Sequence, residues 1–488
     1  DHGRDPVRIS GGGAVPPEIM KTLIQRTAAL QRRLGTSFDL VYRSIQIQSV
    51  QAEMIFLSSL TDARLLAAIT ESFVVSAKDG LQVTLYPGAV EQVWDEEAAI
   101  TSLLSGQCMV LLENDASWYC VEVRSYPSRP SAEPSVERSI RGSHDGFVEN
   151  IILNVGMIRR RIRDTNLQFV LVRKGTHTSC DVVYCYISSL ADPDVLADFE
   201  TRIQKQDDTE IFSERNLCEA LYGKTWNPYP HVRYTERPDI CAIHLLKGYI
   251  VCLVDNNPGA MILPTTFIEQ SKQVEEFTQT TTVALITRIV RMLGMAVSLY
   301  LLPVWIVLSM NHNRTFLNIP LIDHLDPVSF GVQILIVDLV VEWIRQALIH
   351  TPTILSSIMS FIAVFALGDM AISIGAYSEE ILIMVAISNI GNLLTPGYEL
   401  SLANKWMRVM ISIFALFGGV AGLSIGILIH FTLLLSTETI KFPYLYPLIP
   451  FSAREWKQIL LGGPVHLSDE QRSKGRRAAP RRRAKRVK

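Results

Sequence analysis

MLGMAVSLYLLPVWIVLSM, from Met292 to Met310, runs nineteen residues without a charge. At about 1.5 Å per residue, a helix of that length crosses a hydrocarbon core of roughly 30 Å. Arg288 and Arg291 stand just before it, which places its start on the cytoplasmic side. Further apolar segments run from Phe330 to Ile349, Ile354 to Tyr377, Ile381 to Thr395 and Val409 to Ser436. Upstream, charges of both signs are mixed through the first 280 or so residues. A chain of 488 residues that is 48% hydrophobic and 19% charged has therefore gathered its apolar content into one half. The reading is a soluble N-terminal region followed by an all-α, multi-pass transmembrane domain.

Flanking charges give a partial topology. Asp323 and Asp326, then Glu379 and Glu380, contrast with Arg345 and with Lys405 and Arg408. The positive sides are expected in the cytoplasm. Ten Lys or Arg residues lie between Arg472 and Lys488, a run suited to anionic headgroups on that same side. Five simple crossings would put this tail outside. One segment is therefore expected to be re-entrant, a hairpin or interfacial, either the short fourth or the fifth, which has room to bend near Gly418-Gly419. Both termini are expected inside.

Ahead of the apolar half, the soluble region is read as an internal duplication. FLSSLTD (Phe56 to Asp62) is matched by YISSLAD (Tyr186 to Asp192), and LLSGQCMVLLENDAS (Leu103 to Ser117) by LLKGYIVCLVDNNPG (Leu245 to Gly259). In the second pair a helix ends at Gly106 or Gly248, and a β-rich run then reaches a polar turn. Each copy reads as an α/β unit: strand, strand, helix, a variable piece, helix, strand, strand, with a mixed sheet. About a dozen extra residues in copy two are expected to form a short helix near Glu214 to Tyr222. The boundaries that follow are a variable segment 1–36, subdomains 37–124 and 145–280 joined by a proline-rich linker 125–144, transmembrane helices 281–440, and a membrane-edge segment with the basic tail, 441–488. After the linker, Asp145 is expected to cap a long helix with Val148, Ile151, Ile152, Val155, Ile158 and Ile162 on one face.

No enzyme signature is present: there is no P-loop, no G-x-S-x-G and no H-E-x-x-H, and Gly11-Gly12-Gly13 precedes no strand and helix. No catalytic residue, cofactor or metal is expected. The net charge of -2 argues against sequence-specific nucleic-acid binding. Seven cysteines without a C-x-x-C pair suit a reduced compartment and apolar packing. With no cleavable signal visible, the soluble part is expected in the cytosol.

Within the apolar half, Asp338, Glu342 and Arg345 fall on one stripe of a helix. A charge facing lipid at mid-depth costs roughly 2.5–3.5 kcal/mol on translocon scales, so the stripe should face protein or water. Two readings remain open: a pore wall whose acidic rings favour cations, or a Glu342–Arg345 pair that holds helices together. Asp369 is a charge of the same kind, with Arg345 as its expected partner. Asn389 and Asn392 are placed to hydrogen-bond across helices, while Gly418, Gly422 and Gly426 form G-x-x-x-G steps for close helix approach, in packing or in subunit assembly.

Five stretches together carry a family resemblance: SYPSRPSAEPSVERSIRGSHDGFVENIILNVGMIRRRIRD (Ser125 to Asp164), NPYPHVRYTERPD (Asn227 to Asp239), HTPTILSSI (His350 to Ile358), TPGYELSLANKWMR (Thr395 to Arg408) and FPYLYPLIPF (Phe442 to Phe451). In this order they resemble the spore germination receptor A-subunit (GerA) family, and within it the stage V sporulation branch. The resemblance implies a protein of the endospore inner membrane. It implies a homo-oligomer, such as a pentamer, that forms a cation-conducting channel in contact with lipid and with other germination membrane subunits. Receptor members respond to small nutrients with a separate B subunit, and the stage V branch is implied to amplify ion release. A non-conducting scaffold and a secondary transporter are the alternatives. The motif residues that match are Asp145, Gly146, Glu149 and Asn150; Arg233, Tyr234, Glu236, Arg237, Pro238 and Asp239; and Pro396 and Glu399. Arg233, Glu236 and Asp239 read as an ion network or a partner site. Glu399 is placed to meet a neighbouring subunit's Arg408.

Overall fold

Short polar signals set the helix starts in both copies. The computed structural model describes residues 23–76, 80–83, 90–113, 115–125, 137, 142–205, 210–273, 276, 279–310, 315–316, 319–320, 327–349, 373, 378–437, 439–453 and 456. Asp62 caps α2 (Ala63–Glu71), its side chain accepting from the Arg64 and Leu65 amides. Asp192 does the same for α5 (Pro193–Gln204) at the Asp194 amide. A side-chain acceptor there satisfies amides that the first helical turn leaves open. At the other end of each copy, α3 (Glu96–Leu104) and α7 (Pro238–Leu246) stop before Gly106 and Gly248, whose φ angles are +98° and +90°. A Cβ on Gly106 would press on Leu60 and one on Gly248 on the Leu190 carbonyl, the same leucine of the two matching motifs.

The first sheet runs β1 (Leu40–Ile47), β2 (Val50–Leu57), β6 (Cys108–Leu112), β7 (Trp118–Val121), β5 (Val90–Val93) in spatial order; a separate hairpin pairs β3 (Phe73–Ser76) with β4 (Gly80–Val83). The second runs β8 (Leu167–Lys174), β9 (Cys180–Ile187), β11 (Ile250–Val254), β12 (Ala260–Leu263), β10 (Arg233–Thr235). The two orders correspond strand for strand, and the extra element of copy two is α6 (Glu214–Tyr222). Instead of the mixed sheet expected, every registered pairing in both is antiparallel. Each helix here carries the chain back to the end where the next strand must start in reverse.

Two compact units divide the chain, residues 1–129 with 155–170, and residues 130–154 with 171–488. In the first, α1 (Leu23–Leu34) puts Leu30 and Leu34 into the core with Ile55, Leu57, Leu103 and Met109, so this core begins ahead of residue 37. The expected long helix after the linker is shorter: α4 covers Ile151–Arg161. Its cap is Asn150, whose Oδ1 accepts from the Ile152 and Leu153 amides. Asp145 lies in the irregular segment before it, and Ile152, expected on the buried face, is exposed.

In the second unit, α8 (Phe267–Gln270) leads to α9 (Thr281–Met310), α10 (Pro327–Ile349), α11 (Glu379–Leu393) and α12 (Tyr398–Ser436). Among the described residues two helices, Thr282–Met310 and Tyr398–Ser436, are long and apolar enough to cross a membrane. Trp305 Nε1 donates to Glu380 at 2.7 Å and Gly391 packs on the Gly294 backbone, so α11 runs antiparallel to α9. The 39 residues of α12 are not one rod. Gly419 leaves helical geometry at φ 54°, ψ −133°, Gly422 faces the Phe414 carbonyl, and Gly426 sits on Ile411. The expected bend is a helical hairpin, and both of its ends return to the second α/β copy. Gly397 lies near Gln270, while Asn227 Nδ2 donates to the Leu433 carbonyl and Thr437 Oγ1, each at 2.9 Å. The Ile354–Tyr377 segment apart from residue 373, Asp369, Asp323, Asp326, the HTPTILSSI motif and the basic tail lie outside the described residues.

Candidate functional site

Where α10, α11 and α12 meet, apolar sequence gives way to charge. Asp338 and Glu342, one turn apart on α10, face Lys405 and Arg408, three apart on α12. Arg408 grips Asp338 at both oxygens, Nη2–Oδ1 at 2.6 Å and Nε–Oδ2 at 3.2 Å. Its remaining donors reach Ser388 Oγ at 2.7 Å and the Ser298 carbonyl at 3.1 Å. Lys405 Nζ lies 2.8 Å from Glu342 Oε2 and donates to Asn389 Oδ1 at 3.2 Å. Asn389 in turn donates to Asp338 Oδ1 at 3.1 Å. Arg345 closes on Glu342 from the same helix, at 2.6 and 2.8 Å.

A buried ion keeps its charge only when opposite charge and donors replace the water it loses, and this cluster supplies both. Arg408, at 0% relative exposure, is among the largest fully buried side chains, and Asp338 is at 2%. Of the residues expected here, Asp338, Glu342, Arg345 and Asn389 are brought together. Asn392 is buried nearby on α11 without joining the cluster. Gly422 and Gly426 serve packing inside one hairpin, and Gly418 has open space where a Cβ would point.

The sequence reading missed Lys405 and Arg408, which it took for charges at a cytoplasmic membrane edge. Both are buried partners of α10. Their spacing of three, against a spacing of four for the two acids, is the signal that pairs them. Arg408 is occupied within its own chain, so Glu399 has no claim on a neighbour's copy; Glu399 feels Arg215 of α6 instead. Likewise Arg288 and Arg291, expected just before the first apolar helix, lie within the first turns of α9 and are not bare. Both bind Glu276, with Arg288 Nε at 2.8 Å.

The other motif residues build the second α/β copy. Fully buried Arg237 binds Asp239 at 2.8 and 3.1 Å and the carbonyls of Glu137 and Ser143, fastening the end of the linker. Pro238 occupies the first turn of α7. Arg233 donates to the carbonyls of Glu269 and Lys272 rather than to Glu236. Tyr234 faces Cys218, while the carbonyls of Glu236 and Glu149 accept from the amides of Phe147 and Asn256. Asp145 and Gly146 lie in the irregular approach to this contact, and Pro396 lies in the turn between α11 and α12.

Glu269 itself is the centre of a second charged cluster. Its oxygens lie 2.5 Å from Lys272 Nζ, 3.6 Å from Lys247 Nζ and 3.4 Å from His244 Nε2. Burial pushes this carboxyl up, but Lys247 and Lys272 outweigh it and hold it well below the usual range. Burial drives His244 down to about 4 and Lys247 down to about 8. Among the described residues no group of His, Cys, Asp and Glu is placed to hold a metal ion.

Comparison with known proteins gives this geometry a family. The family model for the Bacillus/Clostridium GerA spore germination protein matches residues 28–474. The chain is 33% identical to stage V sporulation protein AF of Bacillus subtilis, over 94% of each chain. It is 27% identical to spore germination protein KA of the same organism, covering 92% of this chain and 86% of that one. Similarity to spore germination protein GerLA of Bacillus cereus is 25%, over 88% and 84%. A crystal structure of the N-terminal domain of the A subunit of the Bacillus megaterium spore germinant receptor GerK3 aligns with a TM-score of 0.39 and 22% identity, covering 51% of this chain and 99% of that domain. With a duplicated α/β region, apolar helices suited to a membrane and a family match across nearly its whole length, this chain belongs to the GerA family of spore germination proteins.

Proposed function

We propose that the protein is a subunit of an oligomeric, cation-conducting complex of the endospore inner membrane. It works with other germination subunits, and its α/β copies lie on the cytoplasmic side. The observation that carries this reading is the charge cluster between α10 and α12. Ionised groups inside membrane helices are costly and are kept where they face a partner, a cavity or a pathway. Here three cations, Arg345, Lys405 and Arg408, meet two carboxylates. Arg345 is the least covered of the five, with 27% of its side chain accessible, so the surplus positive charge lies where a neighbouring subunit or a wet axis would compensate it. In this arrangement Lys405 and Arg408 mask the acids. Parting α10 from α12 would uncover Asp338 and Glu342 as the acidic wall that attracts cations.

The test is potassium flux in liposomes containing the purified protein. Flux is expected, and it should fall in Asp338→Ala and in Glu342→Ala; full flux in both removes α10 from the conduction path. The mass of the detergent-solubilised complex is the companion measurement, and a monomer excludes a shared pore. One observation favours a second reading, a non-conducting scaffold: Asp338 and Arg408 are satisfied within a single protomer. Stable co-purification of other germination subunits, with no conductance in any combination, would select it.

A further inference from the structure

The loop between α6 and β10, residues 223–232, is tied to the end of α12 and yet leaves its largest side chain uncovered. Asn227 holds the Leu433 carbonyl and Thr437 Oγ1, so its neighbour Trp226 stands level with the last turn of a helix apolar enough to cross a membrane. Trp226 is fully exposed. Three residues on, Tyr229 is buried in a cluster with Leu299 of α9, Leu400 and Leu434 of α12, and Tyr444 and Leu445 beyond it.

Those last two residues hold a second loop in the same place. The Phe267 amide donates to the Tyr444 carbonyl at 2.9 Å, and the Tyr229 and Tyr444 rings lie 6.4 Å apart. Past Leu445 the chain closes on itself, with the Leu448 amide on the Leu445 carbonyl at 2.8 Å and the Ser452 amide on the Pro447 carbonyl at 3.1 Å. Leu448, Ile449 and Phe451 of this turn are exposed, Phe451 to 71%. Two loops distant in sequence thus bury a tyrosine each in one cluster and leave four large apolar side chains uncovered, with exposed Lys224 and Lys441 in the same loops. Among the described residues copy one has no counterpart. Between α2 and β5 it carries the β3–β4 hairpin, whereas copy two, which the chain follows into its apolar helices, carries α6 and the Trp226 loop.

We infer that Trp226, Leu448, Ile449 and Phe451 form a lipid-binding edge that seats the second α/β copy on the bilayer, at the boundary of headgroups and acyl chains. Grouped exposed apolar side chains mark a contact surface, and three features commit this one to lipid. It adjoins the last turns of α12, whose Leu428, Phe431 and Leu435 are themselves exposed. It stands where that helix ends and hydrocarbon gives way to headgroups. It joins aromatic rings to lysines, and a membrane–water boundary favours both, since the indole has an apolar body with one donor and the ammonium meets anionic headgroups. The inference rests on the membrane placement of α12 and is independent of conduction.

Nitroxide labels at Trp226→Cys and Phe451→Cys test it, in the full chain reconstituted into vesicles of phosphatidylcholine and phosphatidylglycerol. Cys180, the one cysteine that is not buried, is replaced by Ser. Access to oxygen and to a water-soluble nickel chelate is read at each label. Leu428→Cys, on the exposed flank of α12, is the hydrocarbon reference, and Phe212→Cys, exposed just ahead of α6, is the aqueous one. Both test labels should lose nickel access and gain oxygen access relative to position 212, and fall between the two references. Nickel access at 226 and 451 equal to that at 212 overturns the proposal. So does poor access to both reagents, the mark of a protein partner or a second copy seated there. A nickel-accessible label at 428 instead overturns the membrane placement of α12 itself, and the inference falls with it.

Discussion

Arg408 and Asp338 form a two-pronged pair between α12 and α10, 2.6 and 3.2 Å at its two contacts, with both side chains sealed from solvent. Ser388 and the Ser298 carbonyl take the other side of the guanidinium. One arginine thus ties α9, α10 and α11 to α12, so the four helices share a fixed register.

Breaking that tie from one side should be worse than removing it altogether. Asp338→Ala or Arg408→Ala leaves an unpaired buried charge, for which 3–5 kcal/mol is the usual order. The double replacement Asp338→Leu with Arg408→Met removes both charges and is expected to recover much of that loss. Thermal unfolding of the full chain in detergent measures this. A double variant no more stable than the two single variants would show that the pair is not the coupling element.

The three glycines of α12 should behave differently from one another. A side chain at Gly422 meets the Phe414 carbonyl and one at Gly426 meets the Ile411 backbone, so Gly422→Leu should open the hairpin. Gly418→Ala has open space and should be tolerated. Any L-residue at Gly419 must hold a positive φ, at a cost on the order of 1 kcal/mol. Cysteine accessibility along residues 420–436 is the readout. Equal accessibility in the Gly418 and Gly422 variants would contradict the hairpin packing.

Much of this fold is legible from local chemistry, since Asp62, Asp192, Gly106 and Gly248 mark helix ends by rules that act within a few residues. The duplication extends that legibility to strand order, because two copies of one pattern must pair alike. What the sequence hides is partnership at long range. Lys405 and Arg408 look like membrane-edge charges until the hairpin at Gly419 and the approach of α10 bury them. Arg159 looks like an ordinary basic residue in a last helical turn, and only folding brings it to Asp39. Asn150 takes the cap in place of Asp145 because the segment before it is tied elsewhere, with the Phe147 amide on the Glu236 carbonyl.

Asp39 and Arg159 give the first unit a second buried pair, at 2.8 and 3.1 Å, with Ser37 and Ser59 on the carboxylate. Burial pushes the Asp39 carboxyl up, and Arg159 with the two serines overcomes it, leaving it below its ordinary value. A depressed carboxylate gives stability that is present above its unfolded value near 3.9 and lost as pH falls through the folded one. Arg159→Ala should cost on the order of 3–5 kcal/mol. Arg159→Lys should recover only part of this, because an ammonium lacks the fork. Denaturant unfolding at neutral pH checks the order, and an Arg159→Ala chain as stable as the parent would refute it.

His244 sets the acid response of the second α/β copy. Its Nδ1 lies 2.8 Å from the Ile240 carbonyl, to which it donates, and Nε2 faces Glu269 beside Lys247 and Lys272. Burial lowers it from 6.5 to about 4, so between those values the unfolded chain takes a proton that the folded chain refuses. The unfolded state then binds more protons, and stability falls as pH drops through that window, by roughly 3 kcal/mol if the full separation is realised. Glu269, held well below the ordinary carboxylate value, adds to this loss only at the acid end of the window, where the unfolded chain's carboxyl begins to take up a proton. His244→Gln keeps a donor for the Ile240 carbonyl without a titrating ring, and should flatten the dependence of the unfolding midpoint on pH from 6.5 to 4. An unchanged slope in that variant would move the acid sensitivity to another group.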